Sequence, residues 1–309
     1  MKICLTFETK GKIEKRRIKE EKEKRKMIKI VWEFIQFMFY SGLIVVISKY
    51  ALVPVLRKLA ESLNLKPKTV GNIAGVATSV PELLTVTFAA ATGLVGASVY
   101  NIISSNVINT VQYSLAIFLN KNQKHLQNRA LKIDLFLVAF TIVIPVLMLA
   151  FKMEFEISIV PIFLLLFVFF YFINHNVHKL YLNQLTEEEK KIAEEEKWVR
   201  GKKNVMVKYG VLLLIISILL YVIGNLLSNT LENLCLQFQV PQVVIGILLG
   251  FITSIPELIT FFEAQRHYKQ QESGEEGVIE ATSNLLTSNI LNLFVIQSIG
   301  IIIFYLFGK

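Results

Sequence analysis

Between Ile30 and Phe307 the charged residues fall into clumps, and the stretches between the clumps are almost wholly apolar. A soluble core of this size would interleave charge throughout. A membrane-spanning helix instead needs roughly 20 apolar residues in a row. Eight such stretches can be read, at about 30–63, 69–92, 94–119, 131–151, 155–173, 205–234, 240–264 and 278–307. Backbone polar groups in lipid must be satisfied within each segment, so the expected fold is all-α, a polytopic membrane protein of about eight helices. The first stretch is long, and Pro54 predicts a bend in it.

Other chemistries find little support. Cys4 and Cys235 are far apart and have no metal-ligand spacing. His125, His175, His178 and His267 fall in polar connections or at helix ends, where solvated histidines are ordinary. No glycine-rich nucleotide loop, nucleophile elbow or HExxH motif is present. Neither an enzyme, a cofactor nor a nucleic-acid partner is expected.

Within the second stretch stands "TSVPEL", Thr78–Leu83. In the seventh stands "TSIPEL", Thr253–Leu258. At an offset of 175, Gly71, Gly75, Thr78, Ser79, Pro81, Glu82, Leu83 and Thr85 meet identical residues at Gly246, Gly250, Thr253, Ser254, Pro256, Glu257, Leu258 and Thr260. The match continues in the following helix at an offset of 183. There Asn101, Ser105, Asn106 and Asn109 meet Asn284, Ser288, Asn289 and Asn292. The extra eight residues fall in the polar turn "RHYKQQESGEEG", where length is tolerated. The two copies lie on helices two and seven, five crossings apart, so they run in opposite directions. Inverted repeats of this kind characterise secondary transporters, with the site at their interface near the midplane.

The repeated residues define a chemistry. Pro81 cannot donate to the carbonyl of Ala77, nor Pro256 to that of Ile252, so backbone oxygens are left free. Gly75 and Gly250 permit close approach of a backbone or an ion. Thr78, Ser79, Thr253 and Ser254 place hydroxyls one turn before Glu82 and Glu257. On the partner helices Ser105 and Asn109 share a face, as do Ser288 and Asn292. The set holds two carboxylates, hydroxyls, amide oxygens and free carbonyls. Such all-oxygen sites suit hard cations and serve zinc or copper poorly. Small and hydroxyl residues also serve close helix packing, and Asn101 and Asn284 are read that way. An intramembrane carboxylate is costly to insert, and two at equivalent positions point to function. Asp134, Glu232, Glu263 and Glu280 lie near helix ends, where snorkelling or capping is expected.

On these residues the chain resembles the sodium/calcium exchanger family of the cation/calcium antiporter superfamily. The paired motifs read "GVATSVPEL" with "SSNVIN", and "GFITSIPEL" with "TSNILN". The resemblance covers most of the chain. It implies cation binding by Glu82, Thr78, Ser79, Gly75 through its carbonyl, Ser105 and Asn109. The matching set is Glu257, Thr253, Ser254, Gly250, Ser288 and Asn292. It further implies that helices one and six slide past a core of helices two, three, seven and eight, and that Na+ entry drives Ca2+ out. The chain departs from the pattern in three places. Ser104 and Thr287 replace the family's glycine before the Ser-Asn pair. Both partner-helix positions are asparagine where some members carry an aspartate, so the site has two carboxylates. The family's ten-helix fold is expected to lack its last two helices here, leaving one flank for a second copy of the chain to cover. A proton-coupled cation exchanger is the alternative, though such proteins show Gly-Asn-x-x-Glu where this chain has Thr-Ser-x-Pro-Glu. A truncated, non-transporting membrane protein is a further one.

The expected organisation is a first half over 27–178 with its motif at 71–109, a polar linker over 179–206, and a second half over 207–309 with its motif at 246–292. The linker's "EEEKKIAEEEKWVRGKK" predicts a short solvated helix, with an ordinary basic edge at Arg200, Lys202, Lys203 and Lys208. The odd-numbered connections hold nearly all the Lys and Arg of the membrane part; the opposite side holds only Lys152 and Lys309. The positive-inside rule then puts the linker in the cytoplasm and both termini outside a plasma or inner membrane. Residues 1–26, with eleven Lys and Arg against five Glu, argue the reverse. They are expected to be a disordered tail or an upstream over-extension of the reading frame before Met27. No h-region follows a short basic start, so no cleavable signal peptide is expected.

Overall fold

The computed structural model describes residues 2–63, 65–151, 156–183, 202–238, 241–270 and 273–308. Among them there is no strand, and eight helices are long and apolar enough to cross a membrane. Each overlaps one of the eight stretches read from the sequence.

The first span comprises α1 (Lys2–Ile47), a π-helical turn over Ser48–Leu52, and α2 (Val53–Leu63). The turn widens just upstream of Pro54, whose missing N–H and ring cannot be fitted into regular α-geometry. The basic segment is helical from Lys2. Glu20 and Glu21 precede Lys24 and Arg25 by four residues, a spacing that supports an isolated helix.

The second span is broken at its centre. α3 (Pro67–Thr78) and α4 (Val80–Ala91) meet at Ser79, which has φ −79° and ψ 0°. Gly93, at φ +83°, then turns the chain into α5 (Val95–Leu119), a conformation open chiefly to glycine. α6 (Arg129–Ala150) starts at Asn128, whose side chain accepts from the Ala130 N–H at 2.9 Å. α7 (Val160–Asn183) completes the first half. Residues 184–201 lie outside those described, and with them most of the linker and its expected helix. The second half opens with α8 (Lys202–Phe238). The seventh span repeats the break: α9 (Gln242–Thr253) and α10 (Ile255–Gln270) meet at Ser254, with φ −81° and ψ 1°. The eighth comprises α11 (Gly274–Ile290), a π-helical turn over Leu291–Ile296, and α12 (Gln297–Phe307).

The two halves are interlaced. α3 of the first half packs along α11 of the second, and α9 of the second along α5 of the first. The repeated glycines lie on these crossings. A Cβ at Gly75 would stand 2.7 Å from the Asn284 carbonyl, and one at Gly250 would stand 2.8 Å from the Asn101 carbonyl. Only glycine allows backbones this close. One apolar cluster joins α1 and α2 to α8 and to the broken spans, through Ile44, Leu52, Leu56, Leu220, Leu227 and Leu249. A second joins α6 and α7 to span eight, where Phe294 packs on Phe163 and Phe170 with ring centroids 5.8 and 5.2 Å away. Outward positions such as Leu165, Phe169, Leu214 and Ile218 are exposed and apolar, as a surface facing lipid requires.

Two of the four carboxylates expected to snorkel or cap do neither. Asp134 is fully buried and pairs with Lys68 at 2.9 Å. Glu280 is buried and takes a two-pronged bond from Arg57, both contacts at 2.7 Å. Charges this deep stay ionised only with partners, and both partners come from distant parts of the chain. Glu263, by contrast, is partly exposed and pairs with Arg266.

Candidate cation site

The two breaks position the polar residues. Helical bonding is interrupted only where proline removes a donor, and it resumes at once: Leu83 N–H donates to Ser79 O at 3.1 Å, and Leu258 N–H to Ser254 O at 3.2 Å. Ser79 and Ser254 therefore sit at the kinks with their hydroxyls turned inward, and Glu82 and Glu257 follow in the first turn of each second half-helix.

Both glutamates are fully buried, as are Thr78, Ser105, Asn109, Ser254, Ser288 and Asn292; Ser79 and Thr253 are nearly so. Their bonds cross between the halves. Ser79 Oγ donates to Ser288 Oγ at 2.9 Å, and Ser288 Oγ donates to Glu257 Oε1 at 3.2 Å. In the mirrored arrangement Ser254 Oγ and Ser105 Oγ are 2.9 Å apart, and Ser105 donates to Glu82 Oε1 at 3.0 Å. The Thr78 hydroxyl donates to the Ala74 carbonyl at 2.9 Å and that of Thr253 to the Leu249 carbonyl at 3.0 Å, each one turn back, while the two carboxyl groups lie within electrostatic reach of each other. The Gly75 carbonyl gathers Ser79 Oγ at 2.8 Å and Thr78 Oγ1 at 3.5 Å. The Gly250 carbonyl gathers Ser105 Oγ at 3.4 Å and Thr253 Oγ1 at 3.5 Å.

Eleven of the twelve expected residues thus take part in two mirrored chains of bonds, one around each glutamate. Asn109 enters through Nδ2, 3.4 Å from Ser288 Oγ. Asn292 is the exception. It is fully buried, but neither its Oδ1 nor its Nδ2 has a partner among the described residues. It lies in the π-helical turn, whereas Asn109 lies on regular α5. Asn101 and Asn284 bond across to Thr85 Oγ1 and Thr260 Oγ1, at 2.7 and 2.6 Å. Asn106 and Asn289 each donate to the other's backbone carbonyl at 3.2 Å. This reciprocal pair marks the pseudo-twofold axis between spans three and eight. Sequence reading saw these two only as matched letters.

Oε2 of both glutamates and Oδ1 of Asn109 accept no hydrogen bond from the described residues. Among those residues no three His, Cys, Asp or Glu side chains converge. The donor set is carboxylate, hydroxyl, amide and carbonyl oxygen, a hard-cation set.

Interlaced inverted halves, each with a broken helix bearing a carboxylate, are the architecture of a secondary transporter. The chain belongs to the family described as sodium/calcium exchanger protein, whose model matches residues 33–177 and 208–307. It is accordingly a multi-pass membrane protein of a cation antiporter family. Solved structures of the sodium-calcium exchanger NCX_Mj share the fold. The form soaked with 10 mM Na+ and zero Ca2+ is 21% identical, over 89% of this chain and 83% of that one, with a TM-score of 0.52. The form soaked with 2.5 mM Na+ and 10 mM Sr2+ is 19% identical over the same shares, with a TM-score of 0.50. Among curated proteins no match was found.

Proposed function

We propose that this protein exchanges Na+ for Ca2+ across the membrane by alternating access to a single site built around Glu82 and Glu257. The observation that carries the reading is the mirrored network Ser79–Ser288–Glu257 and Ser254–Ser105–Glu82. Each carboxylate accepts from a serine of its own half, and that serine bonds a serine of the other half, so a relative movement of the halves acts on both chains of bonds. Two carboxylates match one Ca2+ in charge, and the same oxygens suit Na+ at lower affinity. Thr78, Ser79, Ser105, Asn109 and their counterparts Thr253, Ser254, Ser288 and Asn292 supply the remaining oxygens, with the carbonyls of Gly75 and Gly250. Spans one and six, which pack on each other through α1, α2 and α8, are the natural moving pair. In this reading the linker is cytoplasmic and both termini are outside.

The test is 45Ca2+ uptake into proteoliposomes under an imposed Na+ gradient. Wild type should accumulate Ca2+ only with Na+ inside. Glu82→Gln and Glu257→Gln should each lower uptake by about 100-fold or more, since ligand charge sets divalent affinity. Uptake driven equally well by a proton gradient alone would replace Na+ with H+ as the coupling ion. Near wild-type uptake in either variant would remove the shared site.

A further inference from the structure

The end of the bundle at which α5 begins carries a cavity of about 610 Å³. Val99 and Tyr100 of α5 form one wall, and Phe304 and Tyr305 of α12 form another. Glu156 and Ile157 close the third side, at a short helical turn over Ile157–Ile159 between α6 and α7. At the opposite end the counterparts of Val99 and Tyr305 are Thr282 and Asn122, and both are buried, whereas Tyr305 is exposed.

The walls decide what fits. The cavity opens on the surface that faces lipid: Ile157 and Tyr305 are exposed at its rim, and the next residues, Leu306 and Phe307, are exposed and apolar. An apolar cleft left empty forfeits dispersion contacts along its walls, and the filler at hand in a bilayer is an acyl chain. Its size suits a small amphiphile. The cavity also lies at headgroup depth, since α5 is in its first turns there and α12 in its last. At that depth a tyrosine keeps its ring in apolar surroundings and its hydroxyl in the polar layer. Among the described residues of the lining, Glu156 is the one charged group, and Tyr100 and Tyr305 supply the side-chain hydroxyls. Glu156 is exposed and so stands at the mouth. A carboxylate repels an anionic headgroup and accepts from an ammonium, while a phenol donates to a phosphate oxygen. A primary ammonium brings three N–H donors to that carboxylate, and a quaternary one brings none.

We propose that this cavity holds an acyl chain of phosphatidylethanolamine, with the headgroup ammonium on Glu156 and the phosphate on the phenols of Tyr100 and Tyr305. The site shares no residue with the paired-glutamate site and stands whether or not the exchange reading does. It ties the ends of spans three and eight to the connection between spans four and five through a bound lipid.

The test is native mass spectrometry of the purified full-length protein, delipidated and then given mixed micelles with equal phosphatidylethanolamine, phosphatidylcholine and phosphatidylglycerol. Wild type should retain phosphatidylethanolamine over each of the other two by about fivefold, the scale of one exposed ion pair. Glu156→Gln should remove that preference and leave retention at the phosphatidylcholine level. Val99→Trp, which fills the cavity, should lower retained phosphatidylethanolamine by about tenfold. Equal retention of the three lipids by wild type, or a preference for phosphatidylglycerol, would overturn the proposal. So would a preference that survives Glu156→Gln, or retention that survives Val99→Trp and so places the lipid elsewhere. A dimer that retains no lipid would give the cavity to a second copy of the chain instead. Should Val99→Trp fail to fold, Ile157→Trp at the exposed rim decides by the same criteria.

Discussion

The two ends of the bundle are built from equivalent helices, yet among the described residues only one is tied by buried ion pairs. At the end where α3 and α11 begin, Lys68 is held by Asp134 of α6, and Arg57 of α2 grips Glu280 of α11. The Arg57 guanidinium also lies over the Tyr268 ring, 5.6 Å from its centroid, and Asn128 reaches Glu275 at 2.8 Å. At the opposite end α9 and α5 begin. There Lys68 is replaced by Val243 and Glu280 by Ala97, and a bond from the Gly96 N–H to Gln242 spans the crossing. Inversion alone would make the ends alike, so the clasps are an addition by this sequence. The Arg57 clasp fastens the first span to α11 at this end, and the Lys68 clasp fastens α3 to α6 there.

The sharpest way to break the comparison is Asp134→Ala. It takes away the carboxylate that Lys68 meets deep in the bundle, and should cost about 3–5 kcal/mol, read as a fall in thermal unfolding temperature in detergent. The double variant Lys68→Met with Asp134→Leu should recover most of that loss, because a well-packed apolar pair removes both desolvation costs. If the single variant is as stable as wild type, the clasp contributes nothing. Arg57→Ala is next. Arg57 is partly exposed, so water can reach Glu280, and a loss of about 1.5–3 kcal/mol is expected from the charged hydrogen bonds. Its more telling effect should be faster labelling of a cysteine at Thr78, measured with a membrane-impermeant reagent from that end only. Equal acceleration from both ends would mean the ends do not differ as described. The smallest effect sharpens the comparison at its centre. Gly75→Ala and Gly250→Ala should each destabilise by about 1–3 kcal/mol through overpacking against a backbone carbonyl. The two values should agree, since both crossings use the same contact. A large gap between them would show that the asymmetry of the ends extends into the middle.

Much of this was legible in the sequence. The eight spans follow from the spacing of charge clumps. The site is legible because its parts are local: Thr78, Ser79, Pro81 and Glu82 fall within about one turn and recur in the second half, so repetition alone assembles the set. The clasps were not. Lys68 and Asp134 are 66 residues apart, and Arg57 and Glu280 are 223 apart. A charge near a helix end gives no sign of whether it turns to water or to a partner. The π-helical turn around Asn292 was hidden as well, since no residue in "LNLFVI" demands it.

The reciprocal bond between Asn106 and Asn289 has a consequence for speed. Both donors and both acceptors lie on the pseudo-twofold axis, and neither bond spans the interface between the first span and the core. A movement that opened one end while closing the other could pivot there without exchanging a single hydrogen bond. The barrier to such a movement would then arise at the periphery, where Arg57 must let go of Glu280. Turnover would be governed by the release of one side chain about as much as by the ions themselves, and the centre would act as a bearing.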